Sequence, residues 1–353
     1  MLPRVYPASC LPRSLPKNRG LLCIRVMTNT TSALALALTL LVTADSFAAG
    51  LPARLTVLAG DTERIETVVE FALSEGTGKT MGLRDPQGRT IPLQVDNAGR
   101  ARFVLRDLPR NETRTYQIVE TAPNSTGADA VSVKRVGTKL EVTRADKLIF
   151  AYQAEPSKVP SPSIAALYRR GGYIHPILSP AGKLVTDDYP PDHRHHHGIW
   201  FPWTHTEIEG VAHDFWNVQD RTGNVEFAGI DRTWSGPVDG GFLSRQRHVA
   251  ITGTQSNTAL NETWEVRAYN TGQSSHPMWI FDFVSIQENA LTVPITLPQY
   301  YYGGLGFRGS AEWRGTNQQP YLTSEGIADK IKGNETRGRW CFWPRTRGGT
   351  RTS

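Results

Sequence analysis

The residues best able to do chemistry are crowded into one stretch of this chain. Of nine histidines, six fall between His193 and His213, and His175 makes seven within 39 residues. Four sit in the run Asp192-His193-Arg194-His195-His196-His197-Gly198. Imidazole changes charge near neutral pH. Beside carboxylates it serves as a general acid or base, worth about 10²–10⁴-fold in rate. In an extended segment His193, His195 and His197 would share one side, about 6.6 Å apart at Cα, with His196 opposite. A loop would relax that rule. Gly198 permits a sharp exit and a close approach of backbone to a ligand. Indoles follow at Trp200 and Trp203, and His213-Asp214-Phe215-Trp216 repeats the mixture. The faces of Trp200, Trp203 and Trp216 suit stacking on the apolar side of a sugar ring. A hydrogen-bonded structural cluster at a sheet edge is the alternative reading of the same histidines.

A second segment, residues 300–308, combines Tyr300, Tyr301 and Tyr302 with a Gly-rich backbone and Arg308. Such groups form the walls of polar ligand pockets. The pattern assigns His195 or His196 as general acid or base, with His175 as partner. Arg308 would hold a hydroxyl or carboxylate. Asp192, His193 and Tyr301 would contact substrate, with the three indoles stacking on it. Asp187 and Asp188, just before Pro190-Pro191, read as a solvated loop pair. Two His on one side of a strand can share an ion at about 2.0–2.1 Å, so a divalent metal is a candidate cofactor. A cupin-like site also needs a carboxylate shortly after the His pair, and the nearest acid downstream is Glu207.

Nucleotide motifs fail. Gly78-Lys79-Thr80 ends like a phosphate loop, but the required leading glycine position holds Leu73. The run from Gly304 to Gly309 matches G-x-G-x-x-G without the strand–helix context that dinucleotide binding needs. Neither a G-x-S-x-G elbow nor an H-E-x-x-H helix is present.

Positioning falls to strands. Short apolar runs separated by Gly, Pro, Asn and Asp recur at 54–58, 66–71, 90–95, 102–105, 115–120, 139–143 and 148–152. Longer ones follow at 223–230, 242–251, 259–269 and 278–286. No long amphipathic helix and no fixed-period repeat stands out. The expected fold class is all-β: a large antiparallel β-sandwich preceded by a small β module. At the level of fold the closest analogy is the galactose-mutarotase-like supersandwich. The expected domains are a leader and signal peptide at 1–49, a small module at 50–122, a large domain at 128–341 and an atypical tail at 342–353. The best boundary lies near 122–130.

The ends carry the charge. Residues 1–26 hold five basic residues and no acid, and residues 337–353 hold five more. The whole chain is +6, so residues 27–336 are net −4. The basic balance is therefore no argument for nucleic-acid binding by the folded part. Residues 32–42 form an apolar run too short to span a bilayer, which takes roughly 20 residues. Small residues follow at Ser46 and Ala48, as in a cleaved signal peptide. Met27 is the more ordinary start. Removal of the leader would take Cys10 and Cys23 and leave Cys341, so no disulfide within the mature chain is expected. The tail after Arg339 has the composition of a shifted reading frame.

Tyr173-Ile174-His175-Pro176, the run from Pro190 to Phe201, Asp214-Phe215-Trp216 and the run from Tyr302 to Arg308 together resemble the bacterial family labelled methane oxygenase PmoA, over roughly residues 51–341. That resemblance implies Arg where this chain has His197, and further strands beyond Cys341. The family carries no settled activity. An oxygenase subunit of that name would be a multi-span membrane protein, and this chain has no span after its signal. The function expected is a periplasmic or extracellular carbohydrate-active enzyme with a glycan or small-molecule ligand. A non-catalytic carbohydrate-binding protein and a metal-dependent oxygenase or hydrolase are the alternatives. The four segments are expected to meet at one concave site, with the His195 or His196 ring within about 12 Å of His175 or Arg308. Expressed from Met27, the protein is expected outside the cytoplasm, beginning at Ala49 or Gly50. N-terminal sequencing of the product checks this, and a retained Met27 on a cytoplasmic product would refute it.

Overall fold

The computed structural model describes residues 21–27, 42–45, 54–73, 80–121, 129–273, 277–314 and 321–343. Most of the expected signal run and the chain beyond residue 343 lie outside them, as does most of the expected boundary. Strands make up 52% and helical turns 3%, so the chain is all-β. Each apolar run singled out in the sequence lies within a strand.

The first eight strands are β1 (Leu21–Met27), β2 (Val42–Asp45), β3 (Arg54–Leu58), β4 (Arg64–Ala72), β5 (Met81–Arg84), β6 (Thr90–Val95), β7 (Arg100–Leu108) and β8 (Thr113–Glu120). All but β1 form one curled sheet in the order β2-β3-β8-β5-β6-β7-β4. It closes on its own core, which includes Leu55, Val69, Leu83, Phe103, Leu105 and Tyr116. Leu55 and Val57 of β3, and Tyr116 and Ile118 of β8, are buried two residues apart, the period that a half-buried strand imposes.

The sandwich follows. Its first sheet contains β9 (Val131–Val136), β10 (Lys139–Arg144), β11 (Lys147–Gln153), β12 (Tyr173–Ile177) and the two-residue β13 (Ile199–Trp200). Two short strands, β14 (Thr206–Ile208) and β15 (Val211–His213), lie outside it. The second sheet is built from β16 (Gly223–Trp234), β17 (Asp239–Thr252), β18 (Gln255–Tyr269) and β19 (Met278–Asn289), with β1 running parallel along β19. Then β20 (Ile295–Thr296) pairs with β14, and β21 (Gly306–Phe307) completes the first sheet in the order β21-β13-β12-β11-β10-β9. The β10–β11 hairpin turns through Ala145 (φ 48°) and Asp146 (φ 58°), a pair of left-handed residues that matches strand twist.

The sheets pack through aromatic side chains. Phe150 meets Phe281 at 5.0 Å between centroids, Tyr152 stacks on Phe242 at 4.6 Å, and Tyr152 also meets Trp264 at 5.9 Å. Such pairs contribute about 0.5–1.5 kcal/mol each beyond the area they bury. Toward the site the inner face changes character. Gln246, Glu262 and Gln287 are register partners across β17, β18 and β19, and the first two are buried. His248 Nε2, Trp264 Nε1, Ser285 Oγ and Gln287 Nε2 all hydrogen-bond the Glu262 carboxylate. Burial pushes the Glu262 pKa up, but these donors and the imidazole outweigh it and hold it below its ordinary value.

The small module docks on the sandwich through polar groups. Gln94 Oε1 accepts from the backbone N–H of Val238 (3.0 Å) and Asp239 (3.1 Å), and its Nε2 donates to Asp239 O (2.9 Å). Glu66 accepts from Arg106 (2.6 Å) and from Gly272 N (3.0 Å). Gln94→Ala should cost about 1–3 kcal/mol, because it leaves part-buried backbone donors unmet. The denaturant midpoint measures the loss, and an unchanged midpoint would show that the docking is not held here.

Candidate functional site

The histidine run is a loop, so the strand rule does not govern it. Its turns are closed by His193 N to Pro190 O (3.1 Å) and His196 N to His193 O (2.9 Å). Tyr189 N reaches across to His196 O (3.1 Å). The loop is anchored by Asp188. One carboxylate oxygen bonds His197 Nδ1 (2.6 Å) and the other accepts from Tyr173 OH (3.0 Å). His197 is buried, lies against the Tyr173 ring at 4.3 Å and meets Tyr189 edge-on at 4.8 Å. It therefore turns inward, away from its neighbours in sequence. The expectation of a solvated Asp187–Asp188 pair is corrected here. Asp188 closes the loop, and Asp187 is paired with Arg314. Gly198 is needed at the exit, because a Cβ there would lie 2.2 Å from Ile174 O.

With His197 turned in, His193, His195 and His196 stack among themselves. His193 lies parallel to His196 at 4.6 Å, and His195 meets His196 edge-on at 4.6 Å. Trp200 supports His196 from below at 5.0 Å and Trp216 from the side at 5.5 Å. Both indoles are buried, at 2% and 7% exposure. They carry His196, so the sugar-stacking face expected of them is not turned to solvent. Gly306 makes room for Trp200; a Cβ there would come within 2.7 Å of its ring. Trp203 contacts Phe201 and donates to Gln287 (2.7 Å), which ties it to the polar row of the sandwich.

Arg308 joins the cluster from β21's end. Its Nη2 reaches both oxygens of Asp192 (2.8 and 2.9 Å), and its Nη1 lies 3.4 Å from His196 Nδ1. The guanidinium and the His193 ring hold the Asp192 carboxyl well below the usual carboxylate range, against a smaller opposing effect of burial. Arg308, expected to grip a ligand, is thus already occupied by Asp192. On its other side His196 Nε2 accepts from Trp216 Nε1 (3.2 Å). A neutral imidazole has one acceptor nitrogen, so with Nε2 accepting from Trp216 the proton sits on Nδ1, and Arg308 lies beside that nitrogen as a neighbouring charge. Burial, then the neighbouring His195, His193 and Arg308, push its pKa down to about 3. His196 thus holds Trp216 and lies against Arg308, so that both its ring nitrogens face protein groups. Burial with His193 and His197 pushes His195 down to about 4.

His175 takes a hydroxyl as its partner, in place of the imidazole expected. Thr186 Oγ1 accepts from Ile177 N (3.0 Å), so its hydroxyl proton is free to go to His175 Nδ1 (2.9 Å). Burial lowers the His175 pKa, against Asp188 and Asp187. His213 bonds Thr222 O (2.9 Å) and holds the chain leading to Trp216. Asp214 caps the next turn, accepting from Trp216 N and Asn217 N. Tyr302 joins Trp216 at 5.5 Å and receives Asn217 Nδ2 on its hydroxyl (2.8 Å). Tyr301 meets Tyr302 at 4.8 Å and is 63% exposed. The rings of Tyr301, Tyr302, Trp216, His196 and His193 thus form an unbroken series, and its two ends face solvent.

Sequence reasoning missed Asp188 and Arg170. For Asp188 a signal existed: an acid just ahead of a His-rich loop can close that loop on itself. Arg170 follows Arg169 and precedes Gly171-Gly172, a pattern that reads as surface. Among the described residues no group of three or more His, Cys, Asp or Glu is arranged to hold a metal ion. His193 spends Nδ1 on Asp192, His197 Nδ1 on Asp188 and His196 Nε2 on Trp216, and the adjacent Arg308 charge opposes a cation. The cluster does not fit a divalent metal.

Fold and site define a two-part all-β protein with a histidine loop clamped over buried indoles. The chain belongs to a family of unknown function, DUF6807, whose model matches residues 139–352. That span takes in the sandwich from β10 onward and every site residue named above. No curated protein matches the sequence.

The low pKa values set a pH dependence. An imidazole whose folded pKa lies below its ordinary 6.5 binds its proton more readily in the unfolded chain. The stability held by His195 and His196 is therefore complete above about pH 6.5 and declines as pH falls from there toward about 4 and about 3. Thermal midpoints across this range should drop more steeply in the wild type than in His196→Gln. Parallel curves would show that His196 is not kept neutral by the fold.

Proposed function

We propose that the protein is an exported, carbohydrate-active enzyme of the periplasm or exterior, working where the ring series meets Asp192 and Arg308. One observation carries this reading. An exposed tyrosine shelf runs without a break into a hydrogen-bonding cluster of imidazole, carboxylate and guanidinium. A sugar needs both: a flat apolar surface for its ring face and fixed polar groups for its hydroxyls. Tyr301, with Tyr300 beside it at 4.5 Å, takes the stacking role. His193 takes the acid–base role. It is half exposed, and its Nδ1 lies 3.0 Å from Asp192 Oδ2. The carboxylate orients the ring and leaves Nε2 toward solvent, the arrangement of a general base held by an acid. Asp192 is in turn fixed by Arg308, so a single chain of contacts sets the reacting imidazole.

A binding role without turnover is the second reading. It is favoured by how completely His196 and Arg308 are used by the protein itself. The oxygenase label of the resembled family is not carried into the proposal, since the site does not fit a metal. No helix among the described residues is long and apolar enough to cross a membrane.

Turnover and binding across a panel of neutral and acidic oligosaccharides test the reading. His193→Ala should lower turnover by about 10²–10⁴-fold. As an exposed substitution it should move stability by no more than about 0.5 kcal/mol. Tyr301→Ala should weaken binding with little change in the thermal midpoint. Binding without turnover in the wild type would assign the second reading, and neither binding nor turnover on any glycan would overturn both.

A further inference from the structure

The Gly-rich segment runs antiparallel to the segment that leaves the histidine loop, and the two stay in step over their whole length. Arg308 N donates to Gly198 O (2.8 Å), Gly306 pairs with Trp200, Gly304 N donates to Pro202 O (2.8 Å), and Thr204 Oγ1 donates to Tyr302 O (2.5 Å). At about 3.3 Å per residue this ribbon is on the order of 20 Å long at full extension. Arg308 and the Asp192 it holds lie at one end, and the tyrosines lie at the other. The rings tell the same story. Four contacts in series separate the exposed Tyr301 from the exposed His193, and Trp216 in the middle of the series is buried. A single pyranose is comparable in size to one of these side chains and covers one step of the series. A ligand that stacks on Tyr301 and reacts at His193 is therefore a chain of sugars.

Beyond Thr204 the ribbon continues into a pair of rings that have no other role. His205 lies parallel to Tyr300, with 6° between the ring planes and 5.5 Å between centroids. Both are 42% exposed. The pairing of Glu207 with Thr296 draws the chain that leads to Tyr300 alongside His205, and Glu207 Oε1 lies 3.4 Å from His205 Nε2. His205 has a φ of 27°, in the left-handed region that a residue with a Cβ rarely occupies. Backbone strain of this kind gathers where a side chain must be presented in one direction. Exposed aromatic rings fixed in this way mark a binding surface.

Charge narrows the ligand. Both arginines at the histidine end are committed, Arg308 to Asp192 and Arg314 to Asp187, so neither is left to meet an acidic sugar. Shape narrows it further. A β-1,4-linked chain joined through equatorial bonds is flat and keeps apolar ring faces along its length, so it can follow an extended ribbon and still stack at the far end. We propose that the site takes a neutral, β-1,4-linked sugar chain, with one unit at His193, the next units along the ribbon, and a distal subsite formed by Tyr300 and His205. This rests on the carbohydrate reading and adds to it the length, charge and linkage of the ligand.

Calorimetry of the full chain with cello-, xylo- and manno-oligosaccharides, each from monosaccharide to hexasaccharide, tests the proposal. In at least one series affinity should rise about tenfold between the disaccharide and the hexasaccharide, the equivalent of one or two aromatic contacts. Tyr300→Ala and His205→Ala should each bring the hexasaccharide back toward the affinity of the disaccharide. If a variant fails to fold, the length dependence of the wild type decides alone. Affinity already complete at the monosaccharide overturns the chain and leaves the carbohydrate reading standing. A length dependence that both variants retain overturns the distal subsite. No binding in any of the three series overturns the proposal, and the wider panel of neutral and acidic glycans then decides the carbohydrate reading separately. A dimer in sedimentation velocity that Tyr300→Ala dissolves would assign these rings to a second copy of the chain and overturn the proposal as well.

Discussion

One carboxylate holds the two ends of the histidine loop together. Asp188 lies before the loop and His197 at its close, and Tyr173 joins them from β12. An aspartate that accepts two hydrogen bonds in a poorly solvated place is worth more than one in water, since the same contacts act in a lower dielectric. Closing the loop there sends His197 inward and leaves three imidazoles to stack above Trp200. Every later feature follows from that choice: the Arg308 contact, the Trp216 donor and the solvent-facing His193. A loop tied elsewhere would scatter the same residues.

Beneath the loop the sandwich gives up apolar packing. Gln246, Glu262 and Gln287 form a polar row across three strands, on an inner face that is elsewhere Phe, Trp and Val. Burying a carboxylate is costly unless its oxygens are met, and four donors meet those of Glu262. The row then reaches upward, through Gln287 to the indole N–H of Trp203. It fixes the segment after Trp200 to the sheet without needing that segment to join a long strand. Rigid elements thus position the site, while the residues that would touch a ligand stay on loops.

The same accounting separates the two arginines. Arg308 is exposed enough to be seen and is satisfied by Asp192; Arg170 is hidden and is not satisfied. Charge in an interior is tolerated in proportion to the hydrogen bonds it receives.

The sequence by itself determined the class of fold. Short apolar runs broken by Gly, Pro, Asn and Asp favour strands, and strands in such number must pack as sheets. It also determined that the histidines, the indoles and the Gly-rich segment with Arg308 matter together, because residue type and crowding are local properties. Direction was decided only by tertiary structure. Whether Trp200 faces a sugar or a histidine depends on what lies across from it, and Gly306 on a distant strand leaves the space it fills. Whether Asp188 is solvated depends on a Tyr173 hydroxyl fifteen residues away. Arg170 looks like any surface arginine until the polar row and the loop close over it. Burial and pairing are sums over contacts between segments far apart in the chain, and a linear pattern carries no information about which of them meet.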